Sequence, residues 1–202
     1  MQRVIFDFDV ISPYAYLAFE RLPQVLEGVS HWVEYRPLLF AGLLKHWGQK
    51  APVEIAPRRE FLFRQCAWIA AREGFAFAPP QPHPFNPLAL LRLIVASVPA
   101  GQQPNRRVVE LAFRHVWARD GSDPNEPNAL AELEAAIGPV RDPRGDEVKA
   151  ELQARTADAV KHGVFGVPSF RLDGGQLFWG QDSMAMMADV MRQSDVRDGI
   201  GA

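Results

Sequence analysis

The stretch FDFDVISPYAYLAFE, residues 6–20, passes from strand to helix within a few residues, and the rest of the chain is read outward from that corner. With the residues just before it, its alternation places Val4, Phe6 and Phe8 on one side of an extended segment and Ile5 on the other, which predicts a buried strand over residues 3–8. Ser12-Pro13 is a helix-start signal: a serine hydroxyl accepts from free first-turn N–H groups, and proline, which has no N–H, suits the first helical position. Tyr14, Leu17 and Ala18 supply an inward helical face that is expected to end at Pro23. A second strand is predicted over residues 31–36, where Trp32, Val33 and Tyr35 precede Pro37. The amino end reads strand, helix, strand.

From about Gly42 to His162 almost every segment has helical period and a recognisable cap or breaker. Pro57 opens a helix whose Phe61, Leu62, Cys66, Trp68 and Ile69 form an expected apolar face, closed by Gly74. Asn86-Pro87 opens a second with Leu88, Leu91 and Val95, and Val109, Phe113, Val116 and Trp117 mark a third. Asn128 is read as the cap of a fourth and Asp146 as the cap of a fifth. Strands return at residues 168–172 and 176–179 around the turn Asp173-Gly174-Gly175, predicting a hairpin. A last helix carries Met184, Met187, Val190 and Met191 on one face, and a frayed polar tail is expected from Ser194. The pattern is α/β: one sheet split in sequence by a helical insertion.

Composition narrows the classes. The 202 residues are 48% apolar and 23% charged, enough for a real core and too hydrophobic for disorder. A net charge of -2 supplies no basic field for nucleic acid, and no stretch approaches the apolar length needed to span a bilayer. The single cysteine, Cys66, excludes an intrachain disulfide; with an amino end unlike a signal peptide, it predicts a cytoplasmic protein. The five histidines lack metal-ligand spacing, so no metal site is predicted.

Three stretches carry a family likeness over nearly the whole chain in order. FDFDVISPYAYLAFE (6–20) resembles the first strand and helix of kappa-class glutathione transferases and bacterial 2-hydroxychromene-2-carboxylate isomerases, the glutathione-using branch of the DsbA-like thioredoxin superfamily. GVFGVPSFRLDGGQLFWGQDSM (163–184) is similar to their signature near the carboxyl end, and FRHVWARDGSDPNEP (113–127) to a segment of their inserted domain. The resemblance implies a thioredoxin-like βαβ–(α)ββα domain formed by residues 1–42 and 163–202. An all-helical insertion domain, residues 43–162, would interrupt it and include a helix linking back to the sheet. It also implies glutathione as cofactor and a homodimer.

In redox branches of that superfamily a Cys-X-X-Cys motif occupies the strand-to-helix corner; here the corner is Ser12-Pro13-Tyr14-Ala15, so no dithiol can cycle. Read alone, Ser12 is a helix cap. Read with the resemblance, it is the catalytic residue, whose hydroxyl donates a hydrogen bond to the glutathione thiolate at the positive end of a helix dipole. A nucleophilic role is disfavoured, since no GxSxG elbow surrounds it. Val167-Pro168 alone reads as the start of an edge strand; the resemblance implies a cis bond whose Val167 backbone pairs with the cysteinyl part of glutathione. Gln181 and Asp182 read as a helix-start cap or, by resemblance, as holders of the γ-glutamyl end. GLLKHWGQKAP (42–52) corresponds to a loop that in relatives carries an asparagine, where this chain has Gln49. Lys45, Lys50 and Arg58 are solvated cations or partners of a carboxylate, with Lys45 ranked first. In PPQPHPFNP (79–87), Phe85 or Asn86 serves capping and packing, or else lines an aromatic pocket.

The resemblance implies an isomerase acting on a small aromatic carboxylate, 2-hydroxychromene-2-carboxylate, in aromatic breakdown. The short Asp173-Gly174-Gly175 hairpin and GQDS in place of the GSDR common in kappa enzymes favour this branch over a transferase or peroxidase. A non-catalytic glutathione-binding module is the third reading.

Overall fold

The computed structural model describes residues 1–200, and side chains through residue 193. Alternation in the first strand, β1 (Gln2–Phe8), builds the centre of a four-stranded sheet. It pairs in parallel with β2 (His31–Pro37), Val4 beside Val33 and Phe6 beside Tyr35. On its other edge it pairs antiparallel with β3 (Ser169–Leu172), which turns into β4 (Leu177–Trp179), giving the order β2-β1-β3-β4. The Val4, Phe6 and Phe8 face is wholly buried, and Phe6 stacks on Phe170 with ring centroids 4.9 Å apart. Between β1 and β2 runs α1 (Pro13–Val25).

Pro23 does not end α1; it lies inside the last turn. A proline there removes the N–H that would bond the Phe19 carbonyl. Arg106 replaces it, donating from Nη1 to Phe19 O at 3.3 Å while its guanidinium lies 4.1 Å from the Phe19 ring centroid.

Between β2 and β3 lie α2 (Phe40–Trp47), a short 3-10 turn (Pro52–Glu54), α3 (Ala56–Glu73), α4 (Leu88–Ala96), α5 (Arg106–Trp117), α6 (Pro127–Ile137) and α7 (Asp146–Lys161). The first half of the expected loop 42–52 is therefore helical, stopped by Gly48 in the left-handed region at φ 65°. Two caps also differ from expectation. Glu126 rather than Asn128 caps α6, its Oε2 accepting from Ala129 N at 2.9 Å, and Asp146 is the first residue of α7 after Gly145. On α3, Leu62, Cys66 and Ile69 are buried, but Phe61 (53%) and Trp68 (60%) are exposed, with Arg64 and Arg72 over their rings. The last helix, α8, spans Met184–Ile200, so the backbone is helical across most of the expected frayed tail; Gly201 and Ala202 lie outside the described residues.

The helical block shares its core with the sheet. One continuous cluster joins Phe8 and Phe19 to Leu62, Leu91, Phe113, Trp117 and Leu152. A smaller one, Leu38, Leu43, Ala159, Val164 and Val167, fixes the segment leading into β3. The opposite face of the sheet is polar: Asp7 accepts two bonds from the buried Arg171 guanidinium (2.6 and 3.1 Å), and Asp158 of α7 pairs with Arg36.

Candidate functional site

The corner after β1 is built by short-range rules and closed by a long-range contact. Ser12 has extended backbone (φ -90°, ψ 117°), its carbonyl accepts from Tyr16 N at 3.1 Å, and its Oγ accepts from Ala15 N at 3.2 Å. Pro13 has no N–H and Ala15 is satisfied by Ser12, so Tyr14 N–H is the remaining donor of the first turn. The Ser12 hydroxyl donates to Val167 O at 3.4 Å, a long and therefore weak bond, and Ser12 is only 8% exposed. The Val167-Pro168 peptide is cis, and Pro168 O accepts from Gly180 N at 2.9 Å, tying the corner to the hairpin.

Above the corner opens a cavity of about 840 Å³. Ser12, Val167 and Gln49 line it, so the structure brings these three together. Its walls are aromatic, with Phe40 from α2, Phe61 from α3, Phe85 from the proline-rich run and Trp179 from β4. Gly166 lets the Trp179 indole lie close over the backbone: a Cβ there would meet Trp179 Nε1 at 2.5 Å and push the ring aside. Asn86 does not face this space but accepts from Leu88 N at 3.1 Å.

Lys50 and Arg58, rather than the top-ranked Lys45, are the cations at the cavity; Lys45 lies exposed outside its lining. Gln181 and Asp182 also lie outside the lining, in a turn that precedes α8 by two to three residues. The Gln181 amide oxygen accepts from Arg21 of α1. Asp182 curls back over Gly180, where a Cβ would crowd its Oδ1, and its charge reaches the cavity-lining Tyr14. Burial, with that charge and Cys66 assisting, pushes the Tyr14 hydroxyl up to about 12.

Two groups at the corner escaped the sequence reading. Asp9 is fully buried, and its two carboxyl oxygens accept from Ile11 N (3.1 Å) and Phe40 N (2.8 Å), joining the corner to the start of α2. Burial pushes this carboxyl up to about 7 against the pull of those donors. An aspartate ending an apolar strand three residues before Ser12 was the available signal. The second is His83, whose ring joins the cavity wall and bonds Ile11 O at 3.0 Å; nothing in the sequence pairs residues 83 and 11. Cys66 takes no part: it is buried in α3, and burial pushes its thiol up to about 12, keeping it neutral.

The family model of the DSBA-like thioredoxin domain matches residues 3–192. The chain belongs to this DSBA-like thioredoxin family. Among curated proteins, the 2-hydroxychromene-2-carboxylate isomerase of Sphingobium xenophagum is 28% identical over 200 residues, covering 94% of this chain and 98% of that protein. Glutathione S-transferase kappa 1 of Rattus norvegicus is 23% identical, covering 91% and 88%. A solved structure of a 2-hydroxychromene-2-carboxylate isomerase superposes with a TM-score of 0.84 at 21% identity, over 99% of both chains. These relatives are enzymes of the isomerase and kappa transferase kinds, and the DsbA-like thioredoxin fold expected from the corner is the one observed.

Proposed function

We propose that the chain is a glutathione-dependent isomerase that interconverts 2-hydroxychromene-2-carboxylate and trans-o-hydroxybenzylidenepyruvate. The observation that carries this reading is the Ser12 hydroxyl: buried at a helix start, it opens on the cavity, its oxygen accepts from Ala15 N at 3.2 Å, and its proton is held only by the long 3.4 Å bond to Val167 O. A hydroxyl so weakly engaged can turn its proton to a sulfur anion at little cost, and the helix dipole with the Tyr14 N–H favours negative charge at the same place. Glutathione, when bound, would supply a thiolate for reversible addition to the conjugated double bond, rotation about the resulting single bond preceding C–S cleavage that restores the double bond and the thiolate.

The chain's own residues do the rest. Ser12 holds the thiolate form, and Val167 presents its backbone beside it. Gln49 lies at the cavity for the tripeptide, while Gln181 and Asp182 would meet its γ-glutamyl end only if the turn before α8 shifts toward the cavity. Lys50 and Arg58 balance the substrate carboxylate, and the aromatic wall takes its ring. The same reading carries a homodimer working in the cytoplasm on a small aromatic carboxylate, without nucleic acid or membrane. Among the described residues no helix is long and apolar enough to cross a bilayer, and no cluster of side chains could hold a metal.

The likeness to kappa transferases supports a second reading, in which the same thiolate is consumed. Protein, glutathione and the chromene separate the readings: isomerisation at catalytic glutathione supports the first. Stoichiometric thiol loss with an electrophile supports the second, and binding without turnover leaves a glutathione-binding module.

A further inference from the structure

Two aspartates flank Phe8 where β1 ends, both buried and differently partnered. Asp7 meets the Arg171 guanidinium on the polar face of the sheet. Asp9 has backbone partners instead: Oδ1 accepts from Ile11 N at 3.1 Å and Oδ2 from Phe40 N at 2.8 Å. Its own carbonyl accepts from Ser12 N at 3.1 Å, so the carboxyl is folded against the turn that carries Ser12. No cation is paired with it among the described residues.

The titratable groups of the surrounding elements are engaged elsewhere. Tyr14 of α1 donates to Gln65 Oε1, and the His83 ring is bonded to Ile11 O. Lys45 and His46 sit in the last turn of α2, at the end opposite Phe40, and the Cys66 thiol of α3 is neutral. Lys50 and Arg58 line the cavity without an ion pair to Asp9. What sets the ionisation of Asp9 is burial, opposed by its two backbone donors, which brings the carboxyl to about 7. A second negative charge beside such a carboxylate is costly, and of two anions so placed one takes a proton.

We infer that Asp9 is a positioning residue of the Ser12 corner that takes up a proton when a thiolate is seated there, so that the corner holds one negative charge at a time. This rests on the proposed binding of glutathione as thiolate, but not on the isomerisation. The S–H bond of glutathione breaks and its proton passes to solvent, while a proton from solvent forms the O–H of Asp9; Ser12 keeps its own. Asp9 touches no ligand and acts through charge. Below about pH 7 it already holds its proton, whereas above that pH seating the thiolate must protonate it, so affinity for glutathione falls as pH rises.

The test counts protons released on binding, by calorimetry in buffers of different ionisation enthalpy, with glutathione and with S-methylglutathione, which has no thiol. At pH 8 the wild type should release close to none per glutathione, and Asp9→Asn, which cannot take one up, about three quarters of a proton. At pH 6 both should release about one. Between pH 6 and pH 8 the affinity of Asp9→Asn should gain on that of the wild type by up to about tenfold. S-methylglutathione should show neither difference. Since asparagine keeps one acceptor of the two, a second measurement uses the wild type: at pH 8 the carboxyl ¹³C resonance of Asp9 should move to its protonated position with glutathione and stay with S-methylglutathione. Equal release by the two proteins at pH 8, or an unmoved resonance while glutathione binds, overturns this inference and leaves the thiolate reading standing. Binding without proton release at pH 6, or no binding of glutathione, overturns both.

Discussion

The two sides of the cavity are made by different means. On the sheet side, β1, β3 and the turn into α1 hold Ser12 and Val167 through backbone pairing and one side-chain bond, so their separation follows from strand register. On the helical side, Phe61, His83 and Phe85 are held by packing of α3 and the proline-rich run, with His83 Nε2 to Ile11 O as a polar tie. Register tolerates little adjustment, since slipping by one residue reverses every side chain, whereas a packed wall can change its residues without moving its frame. The proposed chemistry sits on the side held by register, and most of the proposed aromatic wall on the side held by packing.

The contrast breaks most visibly at the polar face of the sheet. Asp7→Ala takes the 2.6 Å partner from the buried Arg171 guanidinium, leaving it the longer 3.5 Å contact with Asp158, and should cost about 3 kcal/mol or more in urea denaturation, with Asp7→Leu/Arg171→Met recovering most of the loss. A loss under 1 kcal/mol, of the kind expected for exposed pairs, would show that this pair does not set the register. At the corner, Ser12→Ala should lower glutathione-dependent turnover about 100-fold or more while costing only about 1 kcal/mol of stability for the lost cap. Turnover within a few-fold of wild type would remove Ser12 from the chemistry.

Asp9 sharpens the comparison through pH, because it ties the corner to α2. Its folded carboxyl titrates at about 7 against an ordinary value of 3.8, so between these values the folded state holds a proton that the unfolded state has released. Stability is therefore lost as pH rises through that window, by up to about 1.4 kcal/mol per pH unit, and the loss is complete above it. Asp9→Asn should flatten this slope, measured by denaturation at a series of pH values; an unchanged slope would assign it to other groups. The smallest effect belongs to the helical wall. Phe61→Ala should leave stability within about 0.5 kcal/mol yet weaken aromatic ligands several-fold, while Trp68→Ala on the same exposed face should leave binding unchanged. Equal effects on binding would mean that the cavity does not end at Phe61.

Legibility in the sequence followed the range of the interaction. The Ser12 cap, Gly74 closing α3 and the hairpin at Asp173-Gly174-Gly175 are contacts within a few residues, and their signals were plain. Pro23 misled because its missing N–H is replaced from α5, and Phe61 and Trp68 misled because helical spacing reports a face without saying what lies opposite it. Lys45 was preferred to Lys50 and Arg58 because sequence does not tell where the chain beyond α2 folds over the cavity.

By itself, the sequence determined that a serine rather than a redox cysteine begins the first helix, and that a helical block divides the sheet strands. Those properties reside in residue type and in spacing of four residues or fewer, where backbone geometry leaves few choices. Only the tertiary structure decided that Ser12 meets Val167 across 155 positions, that His83 meets Ile11 across 72, and that Asp9 is buried between the corner and α2. Such contacts depend on how packed elements bring distant segments together, and a hydroxyl or imidazole carries no mark in its own sequence of the partner it will find.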